Sequence, residues 1–141
     1  MLTKEKALRL SIAYLWFLAI LDLVRGFLHT FNILWANETF AQMVPNPDSL
    51  MMLGAFGISN ILTGLIYLLI LKKAKHLAPY VLGIIPIAYL SGSLGLKLQG
   101  IQGESSFYGK YMMLVYLALC ILCALYYLIS SLKEKSISKI N

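Results

Sequence analysis

The sequence predicts an all-α integral membrane protein: a single domain over residues 1–141, folded as a four-transmembrane-helix up-down bundle. Three observations predict it. The chain is 60% hydrophobic and only 13% charged, with a mean hydropathy of +0.77, whereas soluble domains are about a quarter charged. Its apolar residues fall into four runs, about 8–33, 50–71, 79–96 and 111–132, each near the ~20 residues that cross a ~30 Å hydrocarbon core. Its Lys and Arg residues gather at one set of run ends, as topogenic charges do.

The first run follows Lys4, Lys6 and Arg9. A basic start before an apolar run also opens a secretory signal peptide. This run exceeds the roughly 7–15 residues of a signal core, carries charges and lacks an A-x-A site, so it reads as a retained helix. At about 100° per residue, Asp22, Arg25 and His29 share one narrow arc, extended by Ser11, Leu15, Leu18 and Asn32. Trp16, Ile20, Val24, Phe27 and Phe31 lie opposite. A charge at the bilayer centre costs about 2.5–3.5 kcal/mol on insertion scales, so this stripe is expected to face protein or trapped water. Asp22 and Arg25, three residues apart, are spaced to pair along the helix.

A polar loop follows, with Asn37, Glu38, Gln42 and the turn Pro45-Asn46-Pro47-Asp48-Ser49. Asn37-Glu38-Thr39 has the form of a glycosylation sequon. Asp48 or Ser49 is suited to cap the second helix. That helix carries Leu53, Phe56, Gly57, Asn60, Thr63, Gly64 and Tyr67 toward one side. Asn60 is about ten residues from the outer end, or ~15 Å, close to the midplane. Ala55, Ser59 and Thr63 repeat every fourth residue, a small-xxx-small stripe that lets backbones approach.

Lys72, Lys73, Lys75 and His76 end the second run, and the short connection makes the second and third helices antiparallel neighbours. The third opens near Pro79, a favourable first-turn residue. Pro86 removes a hydrogen bond within that helix and predicts a kink. Beyond it Tyr89 and Ser93 share a side, and Gly92 and Gly95 thin the helix. The fourth run places Tyr116, Cys120, Cys123 and Tyr127 on one stripe, with Met112 and Met113 above.

Cys120-Ile-Leu-Cys123 in a four-helix chain is similar to the motif of vitamin K epoxide reductase-like enzymes, which pair it with quinone chemistry. That family uses further cysteines in an external loop, and these two are the only cysteines of this chain. The pair is therefore read as small apolar packing residues.

Nine basic residues (Lys4, Lys6, Arg9, Lys72, Lys73, Lys75, Lys133, Lys135, Lys139) lie on one side of the four runs and two, Lys97 and Lys110, on the other. The positive-inside rule then puts both termini in the cytoplasm of a multi-pass protein. The net charge of +6 is spent at helix ends, which argues for topogenesis and anionic lipid and against nucleic acid.

The ionisable stripe is expected to draw companions from the outer halves of the other helices: Asn60 and Thr63, Tyr89, Ser93 and Lys97, Tyr111 and Tyr116, with Glu104 and Tyr108 as cover. The predicted function is a polar intramembrane pocket that binds, or acts on, a lipid-like or other amphiphilic small molecule. Asp22 and His29 are the candidates for acid–base catalysis. Arg25, Asn32, Asn60, Thr63, Tyr89, Ser93 and Tyr116 are the ligand-binding candidates. No cofactor is expected, and no metal, because no second His or carboxylate offers ligand spacing to His29. The alternative is an accessory or structural subunit whose polar residues mediate helix packing, with Asp22 and Arg25 as a structural ion pair. A small transporter ranks last, since there is one intramembrane acid and no inverted repeat. Assembly of the unit into a homo-oligomer stays open.

Overall fold

The computed structural model describes residues 3–101 and 109–137, with side chains over 3–101 and 111–136. Glu104, Tyr108 and Lys139 lie outside the described residues. Every regular element among the described residues is helical, and four helices are long and apolar enough to cross a membrane.

Helix α1 runs over Lys4–Phe31. Thr3 caps it, its hydroxyl accepting from the Lys6 amide, and Glu5 in the first turn pairs with Arg9. The apolar run continues past Phe31 without a break in composition, yet the helix stops. Asn32 leaves helical geometry at φ −128°, ψ 49°, its amide still donating to the Leu28 carbonyl. The expected span of 8–33 is thus cut short at its C-terminal end. A one-turn helix, α2 (Ile33–Ala36), and a π turn over Asn37–Ala41 follow. Gln42, in the left-handed region at φ 52°, ends the turn.

Helix α3 covers Pro47–Lys73, three residues earlier than the expected start. Asn46, rather than Asp48 or Ser49, is the cap. The Ser49 amide donates to Asn46 Oδ1 at 2.8 Å and the Asn46 amide donates to Ser49 Oγ at 3.1 Å, a reciprocal capping box. Pro47, whose fixed φ suits the first helical position, moves the cap one residue ahead of itself. A 3₁₀ turn, Lys75–Leu77, leads into α4 (Ala78–Leu98), which continues through Pro86 and is capped at Gln99. Helix α5 is Gly109–Ile137.

Helix α1 touches all three other long helices, and its broadest interface is with α3. The buried residues of α3 are Leu53, Gly57, Asn60, Gly64, Tyr67 and Leu71. Steps of four and three alternate, the 3.5-residue seam of helices that interdigitate over their length. Gly26 lies on Gly57 and Ile61, and Gly64 lies on Ala19 and Leu23, so the two helices run antiparallel with backbones in contact. The expected small stripe Ala55-Ser59-Thr63 is not this seam. Ala55 and Ser59 are exposed, and Thr63 donates its hydroxyl to the Ser59 carbonyl of its own helix at 2.9 Å. Glycine wins the contact because it alone adds no Cβ between the axes.

Helices α4 and α5 pair through Tyr80 on Tyr127 and Tyr89 on Tyr116, ring centroids 5.8 and 6.4 Å apart. Tyr14 of α1 donates to the Tyr116 carbonyl at 3.0 Å. One end of the bundle is close-packed by Leu15, Leu18, Leu71, Leu82, Ile85 and Cys120. The other end is looser: every residue of α4 from Ile87 to Leu98 is exposed. The ionisable stripe of α1 passes from the packed end into the loose one.

Candidate functional site

Asp22 sits where the packed core ends. It is 3% exposed, and its ion-pair partner Arg25 lies one turn along the same helix. Arg25 Nη1 lies 3.6 Å from Asp22 Oδ1, an ion pair longer than the ~2.7–2.9 Å of a charge-assisted hydrogen bond.

One turn further along the chain, α1 borders a cleft of about 600 Å³, inside the size range of single-ligand pockets. Arg25 and His29 are its ionisable wall. Phe56 of α3 lies between them: the guanidinium carbon is 5.5 Å from its ring centroid and the imidazole centroid 5.6 Å. A cation over an aromatic face is worth about 0.5–2 kcal/mol, the more so when dry. The remaining wall is apolar. Leu21, Val24 and Leu28 come from α1, Met52 and Leu53 from α3, and Met112 and Met113 from α5. Phe40, Ala41 and Met43 close one side from the loop.

That loop is held by Asn37. The residue is 4% exposed, its carboxamide donates to the Met43 carbonyl at 2.9 Å, and its Oδ1 accepts from the Met43 amide at 3.2 Å. The Asn37-Glu38-Thr39 tripeptide therefore has its asparagine turned inward, and the side chain serves the cleft wall.

Two buried nitrogens of the cleft residues, Arg25 Nε and His29 Nδ1, have no hydrogen-bond partner among the described residues. A buried donor left unpaired costs about 1–3 kcal/mol, and native structures leave few such groups unexplained. Arg25 offers only donors, while a neutral imidazole offers one donor and one acceptor. The cleft thus sets a donor edge of Arg25 beside a largely apolar wall.

The other expected site residues are distributed unevenly. Tyr116 is buried, and Tyr89, on the exposed half of α4, packs edge-on against its ring. Asn60 is buried in the α1–α3 seam between Gly57 and Gly64, with Nδ2 unpartnered among the described residues, but does not line the cleft. Thr63 is turned to its own backbone. Asn32 is exposed at the end of α1, and Ser93 and Lys97 are exposed on the free half of α4. Cys120 and Cys123 are free thiols buried in α5. Among the described residues no three His, Cys, Asp or Glu side chains gather as a metal site.

Sequence reasoning gave no role to Phe56, Tyr67 or the loop residues Phe40 and Met43. The available signal was the pair of methionine doublets, Met51-Met52 and Met112-Met113, in the first turns of α3 and α5. Flexible, polarizable side chains there are suited to line an adaptable apolar wall. Comparisons with protein-family models, with curated proteins and with solved structures found nothing that matches this chain.

Proposed function

We propose that the chain is a multi-pass membrane protein, a single four-helix up-down bundle with both termini cytoplasmic, whose cleft binds a lipid-like or other amphiphilic small molecule. The membrane reading is supported by an inside-out distribution. Phe17, Ile20, Phe27 and Phe31 on α1 are 56–69% exposed, while Asp22 and His29 on the same helix are buried. An apolar surface of that extent is a liability in water and the natural face toward acyl chains. The nine-to-two distribution of Lys and Arg supports the orientation.

The observation that carries the binding reading is the pair of buried, unpartnered nitrogens of Arg25 and His29 in an otherwise apolar cleft. A purely structural ion pair would turn the guanidinium fully onto Asp22. At 3.6 Å it does not.

The test compares wild type with the Asp22→Asn/Arg25→Gln double variant, both purified intact in mild detergent and extracted for mass spectrometry. Removing one charge alone strands the other, at roughly 3–5 kcal/mol; removing both avoids that loss. The expected result is a folded, monodisperse double variant that has lost an amphiphile carried by wild type. Equal retention by both proteins, or no enriched molecule in wild type, overturns the reading.

A second reading, an accessory subunit, is favoured by the outer half of α4. It is exposed throughout from Ile87 to Leu98, and nothing lies within 4 Å of a Cβ built on Gly92 or Gly95. It predicts that bulky residues at Gly92 and Gly95 abolish an association while the ligand content is unchanged.

A further inference from the structure

We infer that the head group held in the cleft is a carboxylate on a single apolar chain, gripped by the side edge of the Arg25 guanidinium. This rests on the reading that the cleft binds an amphiphile, and adds the chemistry of the head.

The planar guanidinium of Arg25 presents its edges and face in three different settings. Its Nη1 is turned toward Asp22, and its carbon sits over Phe56. Nε has no partner among the described residues. Nε and Nη2 together form the side edge of the planar group, whose two parallel N–H vectors match the two oxygens of one carboxylate. A hydroxyl head has a single oxygen and cannot accept along both parallel N–H vectors at once, as a carboxylate does.

Charge selects among the oxyanions. Asp22 already compensates much of the Arg25 charge, and the rest of the cleft is aliphatic, aromatic or thioether apart from His29. A carboxylate adds one negative charge. A phosphate monoester brings about −1.5 to −2, with only one guanidinium to meet it. His29, 7% exposed and with Nδ1 unpartnered, supplies a donor to the same head in its Nδ1–H tautomer. Volume sets the tail: about 600 Å³ is the scale of one small-molecule ligand, so one chain fits where a two-chain lipid does not enter whole.

Asp22 then acts against the ligand. It lies on the Nη1 side of the same guanidinium as a like charge to the head. A geometric consequence follows that a neutral ligand lacks: Asp22→Asn releases Nη1 and removes the repulsion, so a carboxylate binds more tightly.

The experiment titrates the full-length protein in micelles with palmitate, palmityl alcohol and palmityl phosphate, read by native mass spectrometry. Palmitate is expected to bind at least about tenfold more tightly than either analogue, because two charge-assisted bonds are replaced by one bond or an unmatched charge. Arg25→Lys keeps the charge and loses the fork. It should weaken palmitate about tenfold and leave the alcohol unchanged, while Asp22→Asn should tighten palmitate only. Equal binding of alcohol and acid overturns the carboxylate and leaves the amphiphile reading standing. Tightest binding of the phosphate overturns it in favour of a phosphorylated head. Failure of all three probes to bind wild type takes the amphiphile reading down as well. Should either variant not fold, the comparison of the three probes on wild type decides alone.

Discussion

A methyl group at Gly26 is expected to force α1 and α3 apart. The Cβ of a Gly26→Ala variant would lie 2.6 Å from Ile61 Cγ1, 2.7 Å from the Ile61 nitrogen and 2.8 Å from the Gly57 carbonyl oxygen. Carbon contacts are comfortable at about 3.5–4.0 Å. The Ile61 side chain can turn away, but the other two atoms are α3 backbone and move only with the helix. Separation by roughly 1 Å would loosen the seam along much of its length and shift Arg25, the adjacent residue. Overpacking costs about 1–3 kcal/mol, and backbone-limited cases lie at the upper end. We expect a loss of about 3 kcal/mol and a fall in Tm on the order of 10 °C. The assay heats purified protein with a thiol-reactive dye, since Cys120 and Cys123 are buried and become reactive on unfolding. Gly92→Ala is the control. Nothing lies within 4 Å of its Cβ, and alanine in a helix is favoured over glycine by about 1 kcal/mol, so this variant should melt with wild type or slightly above it. Gly26→Ala melting together with wild type would refute the close-contact argument.

Replacing Cys120 and Cys123 together with alanine should cost only packing energy, on the order of 1 kcal/mol per site, and leave the copurifying molecule unchanged. A mixed disulfide trapped with a partner, or a thiol reacting with a quinone, would show that the pair does chemistry. In that cysteine-free background Val44→Cys, at a loop position 80% exposed, should react with an impermeant maleimide added outside intact cells. Labelling only after the membrane is opened would reverse the orientation.

Much of this architecture was legible in the chain because long apolar helices and their buried faces are written in composition and period. The arc of Ser11, Leu15, Leu18, Asp22 and His29 is the buried side of α1, and Ile20, Val24, Phe27 and Phe31 are its exposed side. What period could not show was which small residues make the seam. Gly57 and Gly64 carry it, although Ala55-Ser59-Thr63 has the commoner four-residue spacing; the choice depends on the neighbour's shape, here Gly26. The break at Asn32 was hidden for a related reason. Hydropathy continues through Ile33, Leu34 and Trp35, and the turn is set by the loop that Asn37 ties to Met43. At the site, Arg25 and His29 could be named from the stripe, but Phe56 could not. Nothing in its apolar surroundings distinguishes a ring that faces a guanidinium from one that faces lipid. Thr63 and Ser93 show the converse: polar residues within apolar helices satisfied locally or left on an open helix face, outside the cleft lining.

The central claim is that an amphiphile occupies the cleft beside Arg25 and His29. It is tested most directly by photo-crosslinking with chains bearing a diazirine, one ending in a carboxylate and one in an alcohol, followed by peptide mapping. The account predicts adducts concentrated on Met52, Phe56, Met112 and Met113, lost in the Asp22→Asn/Arg25→Gln variant and suppressed by excess unlabelled ligand. Adducts spread evenly over outward residues such as Leu62, Leu69, Leu90 and Leu119, each 40–67% exposed, with no enrichment at the cleft from either probe, would contradict it.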